Sequence, residues 1–213
     1  MKKMFLFLFI FALSCSENEY DFIIENGLII DGSGQSSYIG TIYIKNGRIA
    51  HLEKSLSNVK AKKKIDATGK IISPGFIDMH THSERNSLDH PLIENYLQQG
   101  VTTMVGGNCG SSPFPINDFI DKTQSKGIGP NLALLIGHNT IRKEVMGTEN
   151  RLANDDELED MKKLVENSMK EGAFGMSTGL KYIPGAYSNT NEVIELAKVV
   201  SKNNGFYATH MRE

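Results

Sequence analysis

Two histidines, His80 and His82, are the first candidates for chemistry in this sequence. They close the stretch Pro-Gly-Phe-Ile-Asp-Met-His-Thr-His at residues 74–82, in which 76–79 has the pattern of a short buried strand. Side chains two positions apart on a strand point to the same face, so the two imidazoles are predicted to converge. Neutral imidazoles arranged in this way bind divalent metals, and zinc is bound at about 2.0–2.1 Å. The alternative is that one histidine packs in the core while the other faces solvent.

Further nitrogen and sulfur donors follow other apolar segments. They are Cys109 after 101–105, His138 after 131–136 and His210 after 205–209. The carboxyl ends of the strands of a (β/α)8 barrel form one rim, where active sites lie. The sequence therefore predicts a soft nitrogen and sulfur ligand set, suited to zinc, that consists of His80, His82, Cys109 and His210. For His138 the sequence leaves two alternatives, a role next to the metal site or in substrate binding, and a purely structural role.

The elements that would position these residues alternate between strand and helix patterns from residue 74 to 213, which predicts parallel βα units. The predicted strands are 76–79, 101–105, 131–136, 173–176 and 205–209. The predicted helices are 91–99, 116–126, 155–170 and 189–201. Asn189 and Glu192 have the spacing of a capping box. We therefore expect an α/β fold, a partial (β/α)8 barrel of the TIM type with about five βα units.

Residues 20–73 have a different pattern, with short apolar runs separated by turns. Asn26-Gly27 and Asn46-Gly47 each lie between two such runs, which predicts two hairpins. The lysine-rich segment 59–65 is typical of an edge strand. This part of the chain is therefore expected to be a small β-domain, an N-terminal β-sandwich segment that precedes the barrel.

Residues 1–19 have the features of an export signal. Lys2 and Lys3 precede the apolar run 4–13, which is shorter than the roughly 20 residues of a membrane-spanning helix. Cys15 follows small residues and resembles a bacterial lipoprotein cleavage site, so it is predicted to be lipidated, with 16–19 as a tether. We expect an exported bacterial protein, periplasmic or anchored to the membrane through Cys15. A plain cleaved signal and an N-terminal membrane anchor are the alternatives.

Composition excludes some functions. The formal net charge of −2 over 213 residues gives no basic footprint, so a nucleic-acid partner is not expected. The two cysteines, Cys15 and Cys109, lie in different contexts and do not indicate a disulfide framework.

Several motifs together resemble one family. The chain is similar to the N-terminal portion of the N-acyl-D-amino-acid deacylases (D-aminoacylases), within the metal-dependent amidohydrolase superfamily. The matching stretches cover nearly all of the chain from about residue 20, and they are 31–34, 74–82, 107–110, 138–147, 172–185 and 207–213. The His-x-His motif fits the whole superfamily, whereas the motifs around Cys109 and Tyr182 are narrower.

The resemblance implies a reaction and a role for each site residue. The reaction would be zinc-dependent hydrolysis of the amide bond of an N-acyl-D-amino acid, a small-molecule substrate. Cys109 and His210 would hold a tightly bound zinc, and His80 and His82 would belong to a second, weaker site. Tyr182 would contact the carboxylate of the substrate.

Two departures from the superfamily pattern bear on the substrate. Many members use a carboxylated lysine at the end of strand four, but residues 175–178 contain no lysine, and Lys181 lies beyond them. The thiolate of Cys109 would replace that ligand, which favours a deacylase over a cyclic amidase. Glu84 stands where relatives often have aspartate.

The remaining catalytic groups of the family come from later strands. Its general base, an aspartate, and a further zinc-binding histidine are expected beyond Glu213. The sequence is therefore expected to be a truncated part of a longer protein, or the product of a broken gene, and to be inactive by itself. One alternative is a cyclic amidohydrolase similar to dihydroorotases and hydantoinases. Another is a non-catalytic metal-binding remnant that pairs with a second chain.

Overall fold

The computed structural model describes residues 20–54 and 59–212, which divide into two compact units after Pro74. The predicted export signal with Cys15, and also Glu213, lie outside the described residues. Within the described ranges, every helix is too short or too polar to cross a bilayer.

The first unit contains a five-stranded sheet built around one central strand. Its strands are β1 Tyr20–Ile29, β2 Tyr38–Lys45, β3 Arg48–Glu53, β4 Ala61–Asp66 and β5 Ile71–Ile72. The order is β3-β2-β1-β4, and β5 also pairs with β1. The β1–β2 and β2–β3 pairs are antiparallel, whereas β4 and β5 run parallel to β1.

One of the two predicted hairpins is confirmed. Asn46 and Gly47 join β2 to β3 with φ angles of 53° and 69°, the left-handed values that a tight hairpin turn requires. The prediction at Asn26-Gly27 is wrong. The register shifts there by one residue, so the pair forms a β-bulge inside β1 instead of a turn. The strand continues because β1 is paired on both sides.

The second unit is a parallel sheet whose strands alternate with helices. Its strands are β6 Phe76–Asp78, β7 Val101–Gly106, β8 Asn131–Gly137, β9 Gly175–Gly179 and β10 Phe206–His210. Its helices are α1 Glu94–Leu97, α2 Ile116–Lys126, α3 His138–Met146, α4 Asp155–Lys170 and α5 Thr190–Lys202. The strands pair in chain order from β6 to β10, and the sheet curls. This architecture confirms the predicted partial barrel of the TIM type.

The hydrophobic core of the second unit lies between the sheet and four of its helices, α2 to α5. Leu134 and Ile136 alternate on β8, which places them on the same face of the sheet. The helices α4 and α5 each contribute a pair four residues apart, which covers one side of each helix. These pairs are Met161 with Val165 and Leu196 with Val200, all buried.

The predicted helices are mostly confirmed, with two corrections. α2 and α4 have the predicted bounds. The predicted helix 91–99 is reduced to the single turn α1, because Ile93 has a left-handed conformation with φ of 47° and interrupts the helix before Glu94. In addition, α3 was not predicted; it follows β8 directly.

Candidate metal centre

Three of the predicted ligands come together at the carboxyl ends of β6 and β7. One ligand atom each from His80, His82 and Cys109 lies within 4.8 Å of the others. The Cys109 Sγ atom is 3.3 Å from His80 Nε2, and the two imidazole rings have centroids 5.6 Å apart with planes at 80°. Two nitrogens and one sulfur at these separations form part of a ligand set for a thiophilic metal such as zinc.

The histidines reach the site by a route that differs from the prediction. β6 ends at Asp78, so both imidazoles belong to the turn beyond the strand and not to the strand itself. Asp78 Oδ1 accepts a hydrogen bond from the His80 N–H at 3.1 Å. The Thr81 N–H donates to Val105 O of β7 at 3.0 Å. The two imidazoles converge because these contacts fold the turn and attach it to the neighbouring strand.

Cys109 lies in a tight loop after β7 that needs glycine. Gly107 has a φ of 74°, and a Cβ atom there would lie 2.1 Å from Leu135 O. Neither the conformation nor the space suits another residue. The buried Asn108 side chain donates to Val105 O at 2.8 Å and closes the loop on itself.

The loop is also held by the next elements of the barrel. The Gly110 N–H donates to Ser177 Oγ at 2.9 Å, and that hydroxyl donates to Gly107 O at 2.5 Å. The Asn139 N–H, in the first turn of α3, donates to Gly110 O at 2.8 Å. The position of the Cys109 thiol is therefore fixed by β7, α3 and β9 together.

Electrostatics at the donors fit a metal. Burial lowers the pKa of His82, and the positive charge of Arg85 acts in the same direction, which favours the neutral imidazole that binds metals. Burial raises the pKa of the Cys109 thiol, with Arg85 opposing, so a bound cation would supply the charge that ionises it. Moreover, the buried His82 Nδ1 atom has no hydrogen-bond partner among the described residues. The donor set therefore fits a transition metal.

Glu84 lies behind these donors. Its side chain is buried, and its Oε1 atom is 4.0 Å from His82 Nδ1. Burial raises the pKa of this carboxyl group. A Cβ atom on Gly106 would approach Glu84 Oε2 to 2.7 Å, so the glycine makes room for the carboxyl group.

His210 and Tyr182 lie elsewhere on the same edge of the sheet. His210 ends β10, so β8 and β9 separate it from β7. Among the described residues, it does not join the cluster of three donors. Its ring packs instead against Tyr182, with centroids 5.7 Å apart, and its Nδ1 atom is 2.9 Å from Met211 O.

A cavity of about 700 Å³ connects the metal donors to the predicted substrate contact. His82 and Cys109 lie on its wall, and so does Tyr182, whose side chain is 43% exposed. A substrate in this cavity would therefore reach both the donors and the phenol.

A buried cluster beside this cavity was missed by sequence reasoning. His138 Nε2 is 2.8 Å from Glu192 Oε1, and Arg142 donates to Glu192 Oε2, with all three side chains buried. We refer to His138, Arg142 and Glu192 as the Glu192 triad. Burial raises the pKa of Glu192, but the hydrogen bonds from His138 and Arg142 outweigh it and bring the pKa below its usual value.

The Glu192 triad places His138 inside the fold and corrects the capping prediction. His138 is fully buried against Glu192 and is not part of the cavity lining. Asn189 caps α5 by accepting from the Glu192 N–H at 2.9 Å, as predicted, but the Glu192 side chain turns inward instead of back to the helix end. No local signal could have shown this, because the partners lie 54 and 50 positions away.

Comparison with known proteins gives consistent matches. A model described as "Amidohydrolase family" matches residues 63–203. A D-aminoacylase from Alcaligenes xylosoxydans xylosoxydans is 35% identical over 91% of this chain and 45% of that protein. The crystal structure of N-acyl-D-glutamate deacylase from Bordetella bronchiseptica, complexed with zinc and a phosphonate inhibitor, superimposes with a TM-score of 0.87 at 30% identity, over 91% of this chain and 45% of that one. A D-aminoacylase structure described as having a binuclear metal centre superimposes with a TM-score of 0.86 at 34% identity. The match covers 91% of this chain and 46% of that one. The chain thus spans less than half the length of these relatives.

Proposed function

This chain belongs to the amidohydrolase family, and on that premise we propose that it carries part of the active site of an enzyme that hydrolyses the amide bond of N-acyl-D-amino acids. The observation that carries the proposal is the convergence of His80, His82 and Cys109 at the carboxyl edge of a parallel sheet. The similarity to D-aminoacylases over 91% of the chain supports the choice of substrate.

We propose that the metal is zinc, because imidazole and thiolate donors suit it. A bound zinc ion polarises a carbonyl group and lowers the pKa of bound water towards about 7. One tightly bound ion and a second, weaker site are proposed, with His210 as a further ligand. His210 is supported by its place on the same edge of the sheet as the three donors.

The residues around the cavity would bind and orient the substrate. Tyr182 lies partly exposed on the cavity wall, and its hydroxyl group is proposed to donate a hydrogen bond to the substrate carboxylate. Ile183 and Pro184 follow it and give the same wall an apolar surface. A substrate bound at Tyr182 would lie in the cavity whose wall also includes His82 and Cys109.

We propose that proton transfer during hydrolysis needs an aspartate general base. The resemblance to the D-aminoacylases places this residue on a barrel strand beyond Glu213. The chain spans 45% of the Alcaligenes D-aminoacylase, so we propose that these 213 residues bind metal and substrate but do not turn the substrate over by themselves.

Hydrolysis assays test the proposal. The chain is assayed alone and together with the C-terminal portion of the Alcaligenes D-aminoacylase, after chelation and after zinc is restored. We expect the combined sample to cleave N-acetyl-D-leucine but not N-acetyl-L-leucine, only with zinc, and to lose this activity in His80→Ala. Turnover of cyclic ureides in place of linear N-acyl-D-amino acids would contradict the proposal. Such turnover is not expected, because β9 carries Ser177 and Thr178 where a cyclic amidohydrolase would carry lysine.

We also propose that the protein is exported and lipidated at Cys15. The supporting features are Lys2, Lys3 and the apolar run 4–13. Labelling of cells with a palmitate analogue should mark the wild-type protein and not Cys15→Ser. Equal labelling of both, or recovery of both in the cytoplasm, would contradict the proposal.

A further inference from the structure

We propose that Arg85 and Lys143 form an anion subsite beside the metal centre, which binds a second carboxylate of the substrate, distinct from the one assigned to Tyr182. This inference rests on the proposed function and narrows its substrate class to dianionic N-acyl-D-amino acids. Both cationic side chains line the same cavity of about 700 Å³ as His82 and Cys109.

Arg85 reaches the cavity because of the short 3-10 turn that follows the metal-binding histidines. This turn, Ser83–Arg85, buries the Glu84 side chain on one side and leaves Arg85 exposed on the other. Arg85 is close enough to the donors for its charge to oppose the effect of burial on the Cys109 thiol. Arg85 therefore lines the same cavity as the metal donors His82 and Cys109.

Lys143 reaches the cavity because α3 has two different faces. His138 and Arg142, four residues apart, point inward to Glu192. Asn139 and Lys143, also four residues apart, lie on a neighbouring face that lines the cavity. The Glu192 triad fixes the orientation of α3 and hence the direction of Lys143.

The two side chains differ from two other arginines of this unit, Arg142 and Arg151, in having no anionic partner among the described residues. Arg142 is paired with Glu192, and Arg151 is paired with Glu149 and Glu157. Over residues 20–54 and 59–212, the side chains of Arg85 and Lys143 make no ion pair or hydrogen bond.

The cavity wall has a positive balance of charge. Glu144 is the one acidic side chain on the described part of the wall, against the two cations Arg85 and Lys143. An anionic ligand group would therefore be attracted to this part of the cavity.

The chemistry of the wall indicates what kind of anion fits. Arginine presents a planar fork that binds a carboxylate through two hydrogen bonds, and lysine adds a point charge. Phe114, Ile183 and Pro184 lie on the same wall and suit a short hydrocarbon linker. A carboxylate at the end of such a linker could belong to the side chain of D-aspartate or D-glutamate, or to a dicarboxylic acyl group.

Calorimetric titration of the zinc-loaded protein tests the subsite. It also shows whether the second carboxylate belongs to the amino-acid side chain or to the acyl group. The probes are N-acetyl-D-glutamate, N-succinyl-D-leucine and N-acetyl-D-leucine, and the variants are Arg85→Gln and Lys143→Gln. Each variant is expected to raise the Kd of a dianionic probe by roughly tenfold or more, because a charge-assisted hydrogen bond is lost. The Kd of N-acetyl-D-leucine should change by less than about twofold. The dianionic probe that responds identifies the source of the carboxylate.

A matched control and the hydrolysis assay make the outcome decisive. Lys122→Gln removes one positive charge from α2, outside the cavity lining, and should leave every Kd unchanged. If Arg85→Gln and Lys143→Gln leave all three Kd values unchanged, or raise all three equally, the subsite is refuted. Hydrolysis is measured in the sample combined with the C-terminal portion of the Alcaligenes D-aminoacylase, because the 213 residues alone are not expected to turn the substrate over. Hydrolysis of N-acetyl-D-leucine in that sample, together with unchanged or equally raised Kd values, would refute the subsite and leave the proposed function standing. Loss of dianion binding in both variants, with no probe hydrolysed by the combined sample, would support the subsite and contradict the proposed function.

Discussion

Glu192→Gln gives the sharpest prediction about the fold, because one substitution removes the negative charge from a buried triad. The Glu192 side chain is 4% exposed and those of His138 and Arg142 are 0% exposed. Glutamine keeps the shape but replaces one acceptor oxygen with an NH2 group. That group would face a donor of His138 or Arg142, and the Arg142 charge would remain buried with no counter-charge in the triad.

The expected loss in the free energy of unfolding is large for a single atom change. Removal of one partner from a buried ion pair costs about 3–5 kcal/mol, because the other charge is left uncompensated. The effect should depend on pH. The pKa of Glu192 is lowered in the folded state, so its contribution is present above the unfolded value of about 4.3 and is lost as pH falls through the folded pKa. The difference between wild type and Glu192→Gln should therefore shrink in acid.

Urea denaturation followed by circular dichroism measures this difference. Glu195→Gln is the matched control, since Glu195 lies on the same helix and makes the same type of contact at the surface, with Lys162 and Lys198. A surface pair contributes about 0–1 kcal/mol. Equal losses for Glu192→Gln and Glu195→Gln would refute the reasoning.

A double variant tests whether the cost arises from the pair itself. Arg142→Met removes the other charge. Combined with Glu192→Gln, it should cost less than the sum of the two single variants, by about 0.5–3 kcal/mol. Additive losses would show that the two side chains act independently.

Two further predictions concern the Cys109 loop and the start of α4. Gly107→Ala should lower the free energy of unfolding by about 2–5 kcal/mol, because the new Cβ atom would meet Leu135 O. The control Gly127→Ala has a similar φ but open space around it, so it should lower the free energy of unfolding by only about 1–2 kcal/mol. Equal urea midpoints for the two variants would contradict this reasoning. The hydrogen bond from Arg151 lowers the pKa of Glu157 to about 2, so the stabilisation by Glu157 should be present above pH of about 4.3 and disappear as pH falls towards 2. Melting temperatures measured across this range should show a shallower acid dependence in Glu157→Gln, and identical slopes would disprove the assignment.

The sequence predicted the sheet of the second unit and most of the donor cluster, for a simple reason. Each strand is an apolar segment followed by a polar loop, and parallel strands place those loops on one edge. His80, His82 and Cys109 come from two adjacent strands, so their convergence did not depend on the exact strand ends. His210 comes from a strand further along the sheet, and its place relative to the donors depends on curvature, which a sequence pattern does not determine.

α3 was missed because its buried side mixes polar and apolar residues. His138 and Arg142 are fully buried there beside the core residues Ile141 and Met146, and they break the apolar period that indicates a helix. Their partner, Glu192, is more than 50 positions away, and a capping-box pattern gave its side chain a different role. Long-range polar pairs of this kind leave no local signature.

The bulge at Asn26-Gly27 is another feature that depends on strand pairing and not on the local sequence alone. The same dipeptide type forms a true turn at Asn46-Gly47, where β2 meets β3. At Asn26, β1 is hydrogen-bonded on both sides and continues through the pair. A local sequence cannot distinguish an edge from the centre of a sheet.

Cobalt titration tests the metal centre most directly. The titration uses the Cys15→Ser protein, so that Cys109 is its one thiol, and compares it with the same protein carrying Cys109→Ser. A thiolate bound to cobalt gives a charge-transfer band in the near ultraviolet. We predict that the band appears with the first equivalent of cobalt, is abolished by zinc, and is absent from the Cys109→Ser protein. A band of equal intensity in both proteins, or no cobalt binding by either, would contradict a metal centre formed by His80, His82 and Cys109.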